Sequence, residues 1–363
     1  MSVSQQDPAP RAERLAFARD AGLQWPESGR VGLLHPGPDE MLPPLPPERL
    51  TIVTPMAHVA ARLALQGVTA GPDLPAPDSL AAALVCLPRG RIEAQDLIAR
   101  ACNMTAGPVV VDGQKTDGIE AVLKALKPRV ALNGPISKGH GKIAWFDSAD
   151  LSDWLTGPGM ITAADGRLFE TQPGVFSADG VDPASALLAA AVPADAKGVA
   201  VDLGAGWGYL AATVLARCPA LSALHLIETD DRALRCARRN VTDPRAIFHW
   251  ADATALPAAV SQGIRADLVI MNPPFHQGRA AQPGLGAAFI ATAAALLKPT
   301  GALWLVANRH LPYETPLRAH FQQVTEAGGD GRFKLIRAEA PIPPKGQLPR
   351  SRTRHAMHRK PNR

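Results

Sequence analysis

Short apolar runs recur along this chain and alternate with stretches whose apolar residues fall at helical spacing. In the second half the runs cover residues 198–202, 221–227, 246–250 and 266–271. Each is short, mostly apolar and bounded by polar or glycine-rich sequence, which predicts strands, with 266–271 reading as a buried parallel one. Residues 209–217 read as a helix between the first two. In the first half, 50–53, 81–87, 108–111 and 142–146 read as strands, with helical patterns over 92–102 and 119–126. Strands that alternate with helices predict a parallel α/β architecture in both halves. The last strands are expected near 322–325 and 333–337. Residues 36–49 are rich in proline, and glycine, proline and polar residues crowd 157–174. The pattern therefore divides the chain into a proline-rich segment over 1–49, an α/β domain over 50–165, a second over 166–340 and a tail over 341–363.

The run 266–271 ends in Asn272-Pro273-Pro274-Phe275. Neither proline has a backbone N–H, so the chain must leave the sheet stiffly. It does so at the carboxyl edge, where open α/β sheets bind ligands. An amide and a flat ring held there suit a planar group that carries an exocyclic amine.

A second constellation lies upstream. The strand that starts at Gly198 ends in Asp202, and Leu203 leads into Gly204-Ala205-Gly206-Trp207-Gly208. Such glycines permit positive φ and close approach of a ligand to the backbone. A dinucleotide fingerprint would need glycine at 209, where this chain has Tyr209. The spacing fits S-adenosylmethionine better, with Asp202 accepting from its amino group. Glu228, at the end of the next strand, can accept from a ribose diol, and Asp252, after the third, from the adenine amine. Asn272 closes the same crevice.

This region resembles the class I methyltransferases and, more narrowly, the RsmC/RlmG-like family of ribosomal RNA guanine-N2 methyltransferases. Further anchors are the stretches 173–182 (Pro-Gly-Val-Phe-Ser-Ala-Asp-Gly-Val-Asp), 275–278 (Phe-His-Gln-Gly), 307–313 and 331–335. The matches cover about residues 173–338; the first half is similar in layout only. The resemblance implies two Rossmann-like methyltransferase-type domains. The C-terminal one would be a seven-stranded S-adenosylmethionine-binding sheet. The N-terminal one lacks the cofactor motif and would serve support and RNA recognition. The nearest approach to a glycine turn there is Val111-Asp112-Gly113-Gln114. The basic, glycine-rich stretch 133–142 reads as a loop, with RNA contact through Lys138 or Lys142 the minority reading.

The expected reaction is methylation of guanine N2 in ribosomal RNA, small-subunit RNA ahead of large. Asn272 and the Pro273 carbonyl would accept from the amine, and Phe275 would stack on the base, an interaction worth roughly 1–3 kcal/mol. His276 reads as a polar wall before a base. Adenine N6 and a protein glutamine amide are competing acceptors. A non-catalytic RNA-binding or assembly protein that keeps the cofactor pocket is the alternative of another class. A dehydrogenase is weaker, because the third dinucleotide glycine is missing.

Composition narrows this further. The four cysteines, Cys86, Cys102, Cys218 and Cys236, form no C-x-x-C pair, so neither a zinc site nor disulfides are expected. No apolar stretch is long enough to span a bilayer, and the first residues lack signal-peptide blocks, which predicts a cytoplasmic protein. The formal charge is +5. Much of it sits in the tail, where Lys345, Arg350, Arg352, Arg354, Arg359, Lys360 and Arg363 occur without an acid. Such a tail is either plain solvated chain or a flexible arm for phosphates.

Overall fold

The computed structural model describes residues 10–343 except Phe275, Gly278, Arg279 and Gln282. Phe275, the His276 side chain and nearly all of the basic tail thus lie outside the described residues.

Seven strands form the first sheet: β1 (Val31–Leu34), β2 (Leu50–Val53), β3 (Ala70–Gly71), β4 (Ala82–Cys86), β5 (Pro108–Gln114), β6 (Asn133–Lys138) and β7 (Gly141–Asp147). Their order is 3-2-1-4-5-7-6. All pairs are parallel except those made by β7. An antiparallel hairpin, β8 (Gly159–Thr162) with β9 (Leu168–Thr171), leads into the second half. There follow β10 (Gly198–Leu203), β11 (Leu221–Glu228), β12 (Ala246–Trp250) and β13 (Ala266–Met271). A two-residue ribbon pairs β14 (His276–Gln277) with β15 (Ala280–Ala281). β16 (Leu297–Asn308), β17 (Phe321–Gly329) and β18 (Phe333–Pro341) complete the second sheet. Its order is 12-11-10-13-16-18-17, with only β18 antiparallel to its neighbours. Counted from its own first strand, each sheet has the same order.

The central strands are buried because helices cover both faces, so their side chains need no polar alternation. In the second sheet, Ala200, Leu224, Leu226 and Ile270 pack on one face with Leu210 and Val214 of the helix Tyr209–Arg217. Val201, Leu203, Val269 and Leu305 pack on the other with Phe289 and Ile290 of the helix Pro283–Leu296.

Two expectations change. A segment over 1–49 separate from the first sheet does not hold, since β1 is an inner strand of that sheet, between β2 and β4. Gly32 interrupts the four-residue run of β1 and leaves one β-branched residue, Val31, whereas the equally short β2 has three, Thr51, Ile52 and Val53. The helix Pro10–Asp20 also belongs to this half. Its Arg14, fully buried, donates to both carboxylate oxygens of Asp112 on β5 at 2.6 and 2.8 Å. The stretch 133–142 is not a loop but the β6–β7 hairpin, whose lysines face acids: Lys138 lies 3.8 Å from Glu13 and Lys142 3.1 Å from Glu120. β6 is an exposed edge strand without apolar alternation, so its pattern carries no strand signal.

The topology also relocates the missing glycine turn. The counterpart of β10 is β1, not β5, and β1 runs into His35-Pro36, with His35 at φ 58°. A side chain stands where the second half has its cradle.

The two halves meet behind that cradle. Ala57 N–H donates to the Thr229 carbonyl at 2.8 Å, and Asp231 N–H to the Pro55 carbonyl at 2.9 Å. The Trp250 indole N–H reaches both carbonyls, at 2.8 and 2.9 Å. Arg232 forms an ion pair with Glu93, and Arg235 one with Asp73 at 2.6 Å. The loop that follows β11 is therefore braced by the first half.

Candidate active site

The crevice opens at the carboxyl edge of the second sheet, between β10 and β13, where the strand order reverses. Asp202, Gly204, Gly206, Trp207, Asp182, Ser185, Phe176 and Asn272 are on its wall. The structure thus brings together Asp202, Gly204, Gly206 and Asn272 from the sequence-based set. Gly208 and Pro273 adjoin this lining along the chain and Glu228 by its bond to Gly206 N–H, whereas Asp252 is not part of it.

The glycine turn is held in positive φ at Gly204 (80°), Gly206 (55°) and Gly208 (89°). Two of these positions differ instructively. A Cβ on Gly206 would meet no protein atom within 4 Å, so that face is left open. A Cβ on Gly208 would come within 2.9 Å of Val241 and 3.1 Å of Ala237, so this glycine serves the packing of two helices. Gly208 also begins the helix Tyr209–Arg217.

Asp202 is buried, and its Oδ2 has no hydrogen-bond partner. Burial, reinforced by the nearby Glu228, pushes its carboxyl up to about 8. A buried acceptor without a partner is costly, so this atom needs a donor from a ligand. Glu228 is also buried, and burial raises its carboxyl too. One oxygen accepts from Gly206 N–H at 2.8 Å and the other from Asp230 N–H at 2.8 Å. It pins the glycine turn to the loop braced by the first half, a task the sequence did not suggest. Each carboxylate oxygen keeps a second lone pair, which leaves room for a ribose diol to donate. Asp252 lies two residues beyond β12; its Oδ1 accepts from the Thr254 N–H and hydroxyl, both at 2.8 Å.

Asn272 directly follows β13 and is half-buried, with buried Pro273 and exposed Pro274 next. Its Nδ2 donates to Asp182 Oδ2 and Ser185 Oγ, both at 2.9 Å. Asp182 caps the helix Pro183–Ala191 by accepting from Ser185 N–H at 2.8 Å. Sequence reasoning assigned no task to Asp182 or Ser185, although an Asp-Pro pair is a helix-start signal. Their partner lies 90 residues from Asp182, which no local pattern reveals. The stretch before them is shaped for the crevice as well. Phe176 is 65% exposed, and its carbonyl accepts from the Trp207 indole at 3.0 Å. Ser177, at φ 55°, bonds back to the Gly180 carbonyl.

The residues fit S-adenosylmethionine: an unpartnered buried acid for its amine, an open glycine face, and acids at the next strand tips. Among the described residues, no cluster of three His, Cys, Asp or Glu side chains could hold a metal, and no helix is long and apolar enough to cross a membrane. Fold and site together define a class I, S-adenosylmethionine-dependent methyltransferase.

Comparison with known proteins narrows the class. The Methyltransferase small domain family matches residues 166–337. Ribosomal RNA small subunit methyltransferase C of Shewanella oneidensis is 30% identical over 238 residues, which span 63% of this chain and 68% of that protein. Its counterpart from Shewanella sp. MR-4 is 28% identical over 73% of this chain and 79% of its own length. Ribosomal RNA large subunit methyltransferase G of Shewanella amazonensis is 34% identical over 65% of this chain and 63% of its own length. A Thermus thermophilus 16S rRNA N2 G1207 methyltransferase, solved with AdoMet and guanosine, superposes with a TM-score of 0.76. That match covers 92% of this chain and 94% of the other at 24% identity, and it establishes the shared two-sheet fold. The chain belongs to the RsmC/RlmG-like family.

Proposed function

We propose that this protein methylates the exocyclic N2 of a guanine in ribosomal RNA, with the small-subunit RNA as the favoured substrate. The relatives named for the small subunit align over more of their own length than the one named for the large subunit, which supports that choice. The observation that carries the chemistry is the orientation of Asn272. Both of its N–H groups are engaged, by Asp182 and Ser185, so its carbonyl oxygen is what the side chain has left to offer.

S-adenosylmethionine, when bound, supplies a methyl group on a sulfonium, which is already electrophilic. The protein's task lies with the acceptor. The lone pair of guanine N2 is delocalised into the ring. Asn272 Oδ1 and the Pro273 carbonyl accept the two amine hydrogens, favour a pyramidal nitrogen and direct its lone pair. Phe275 keeps its proposed stacking role. The base must be unpaired or flipped to enter. Asp202 receives the cofactor's amine, Gly204, Gly206 and Gly208 shape its cradle, Glu228 takes the ribose and Asp252 the adenine amine. No strong base is needed, since the proton leaves after transfer, and alignment can supply about 7–11 kcal/mol in favourable cases.

The test is nucleoside mass spectrometry on both ribosomal RNAs from a deletion strain, complemented with wild type or Asn272→Ala. N2-methylguanosine should vanish from one RNA, return with wild type and stay absent with Asn272→Ala. The variant should bind cofactor within a few-fold of wild type. Full methylation by Asn272→Ala would sink the mechanism. An unchanged nucleoside profile on deletion would point to another amine acceptor or to a non-catalytic role.

A further inference from the structure

We propose that Asp182 and Ser185 are positioning residues that hold the Asn272 carboxamide in the one orientation able to accept from the acceptor amine. This rests on the reading of Asn272 given above and extends it to two residues on another element.

A carboxamide is nearly symmetric in shape. Turned by half a rotation it presents N–H where its oxygen had been, and packing alone cannot tell the two states apart. In the turned state Asn272 would offer donors to an amine that is itself a donor. What distinguishes the states is the chemistry behind the side chain. An ionised carboxylate only accepts. Asp182 Oδ2, 2.9 Å from Nδ2, therefore tolerates the amide nitrogen and repels the amide oxygen. Ser185 Oγ, also 2.9 Å away, takes the second hydrogen.

The clamp is itself rigid. Asp182 is fixed because the same Oδ2 caps its helix through Ser185 N–H. Pro183 sets the first turn, and Ala184, Leu188 and Ala189 bury the helix against the second sheet. Asn272 is fixed from the other side by β13 and Pro273. Two rigid elements, far apart in sequence, thus meet through one amide. Neither Asp182 nor Ser185 needs to touch the transferred methyl.

The experiment is steady-state methylation of ribosomal RNA by Asp182→Ala, Asp182→Asn and Ser185→Ala, alone and in the Asn272→Ala background. Asp182→Ala should lower kcat about 30-fold and Ser185→Ala about fivefold, as expected for losing a charge-assisted and a neutral hydrogen bond. KM for S-adenosylmethionine should move less than about threefold. Asp182→Asn should restore most of the rate lost in Asp182→Ala, because its amide oxygen can occupy the place of Oδ2 and accept from both donors. In the Asn272→Ala background, where the residual rate is read in single turnovers with enzyme in excess, Asp182→Ala should cost nothing more. An unchanged kcat in Ser185→Ala and Asp182→Ala would overturn the clamp. So would a loss confined to KM for the cofactor, or an equal further loss without Asn272. Asp182→Ala also removes a helix cap, so Ser185→Ala, which keeps the cap, decides the matter if that variant folds poorly. Full activity of Asn272→Ala would refute the underlying reading; an inactive Asn272→Ala with fully active clamp variants would refute the clamp alone.

Discussion

The proposed pairing of Asp202 with the cofactor's amine predicts that cofactor affinity depends on pH. The Asp202 carboxyl is pushed up to about 8 by burial and by Glu228, and one oxygen lacks a partner. A carboxyl raised in the folded state favours the folded protein while protonated. That contribution is complete below the ordinary 3.8 and is lost as pH rises through about 8. The cofactor's ammonium group reverses the preference, because it requires the ionised form. With the carboxyl at about 8, about one molecule in ten is ionised at pH 7, a cost of about 1.4 kcal/mol; at pH 6 the cost doubles to about 2.7 kcal/mol. Affinity should therefore tighten about ninefold from pH 6 to 7, less steeply from 7 to 8, and weaken again above pH 8 as the cofactor's own ammonium loses its proton, with proton release on binding near pH 7. Isothermal titration calorimetry across that range, in buffers of different ionisation enthalpy, measures both. Asp202→Asn should bind weakly, lose the pH dependence and release no proton. A dissociation constant that stays flat between pH 6 and 8 in the wild type would refute the assignment of Asp202 to the cofactor's amine.

One open and one crowded glycine should separate binding from folding. Gly206→Ala, whose methyl would project into open space at positive φ, should cost about 1 kcal/mol of stability and weaken cofactor binding at least about tenfold. Gly208→Ala should instead unfold the protein more readily, by about 1–3 kcal/mol, because the methyl overlaps Val241 and Ala237; equal effects of the two on binding and stability would contradict this division. Trp250→Phe removes the indole donor that spans the two halves, and should lower stability to urea by about 1 kcal/mol. An unchanged urea midpoint would mean that this bond does not brace the loop after β11.

Much of the second half is legible in the sequence because its signals are local. The runs at β10, β11 and β13 are largely apolar, since helices bury the inner strands of the sheet on both faces. The turns that follow them carry glycines, acids and a proline pair, whose chemistry is intrinsic to the residues. Pattern and motif alone therefore point to the class of fold and name candidate residues for the cofactor and the base.

The remainder depends on which elements become neighbours. β1 carries a glycine and a single β-branched residue, yet hydrogen bonding to β2 and β4 makes it an inner strand of its sheet. β6 is polar and reads as a loop, because edge strands need not alternate. Glu228 reads as a ribose acceptor, and only the folded turn shows it accepting from Gly206 and Asp230 as well. Asp182 and Ser185 acquire meaning only when a helix start and a strand end, 90 residues apart, come within 2.9 Å of each other. Backbone pairing and burial are settled by the whole chain at once. Side-chain chemistry can be read one residue at a time, but the partner that orients it cannot.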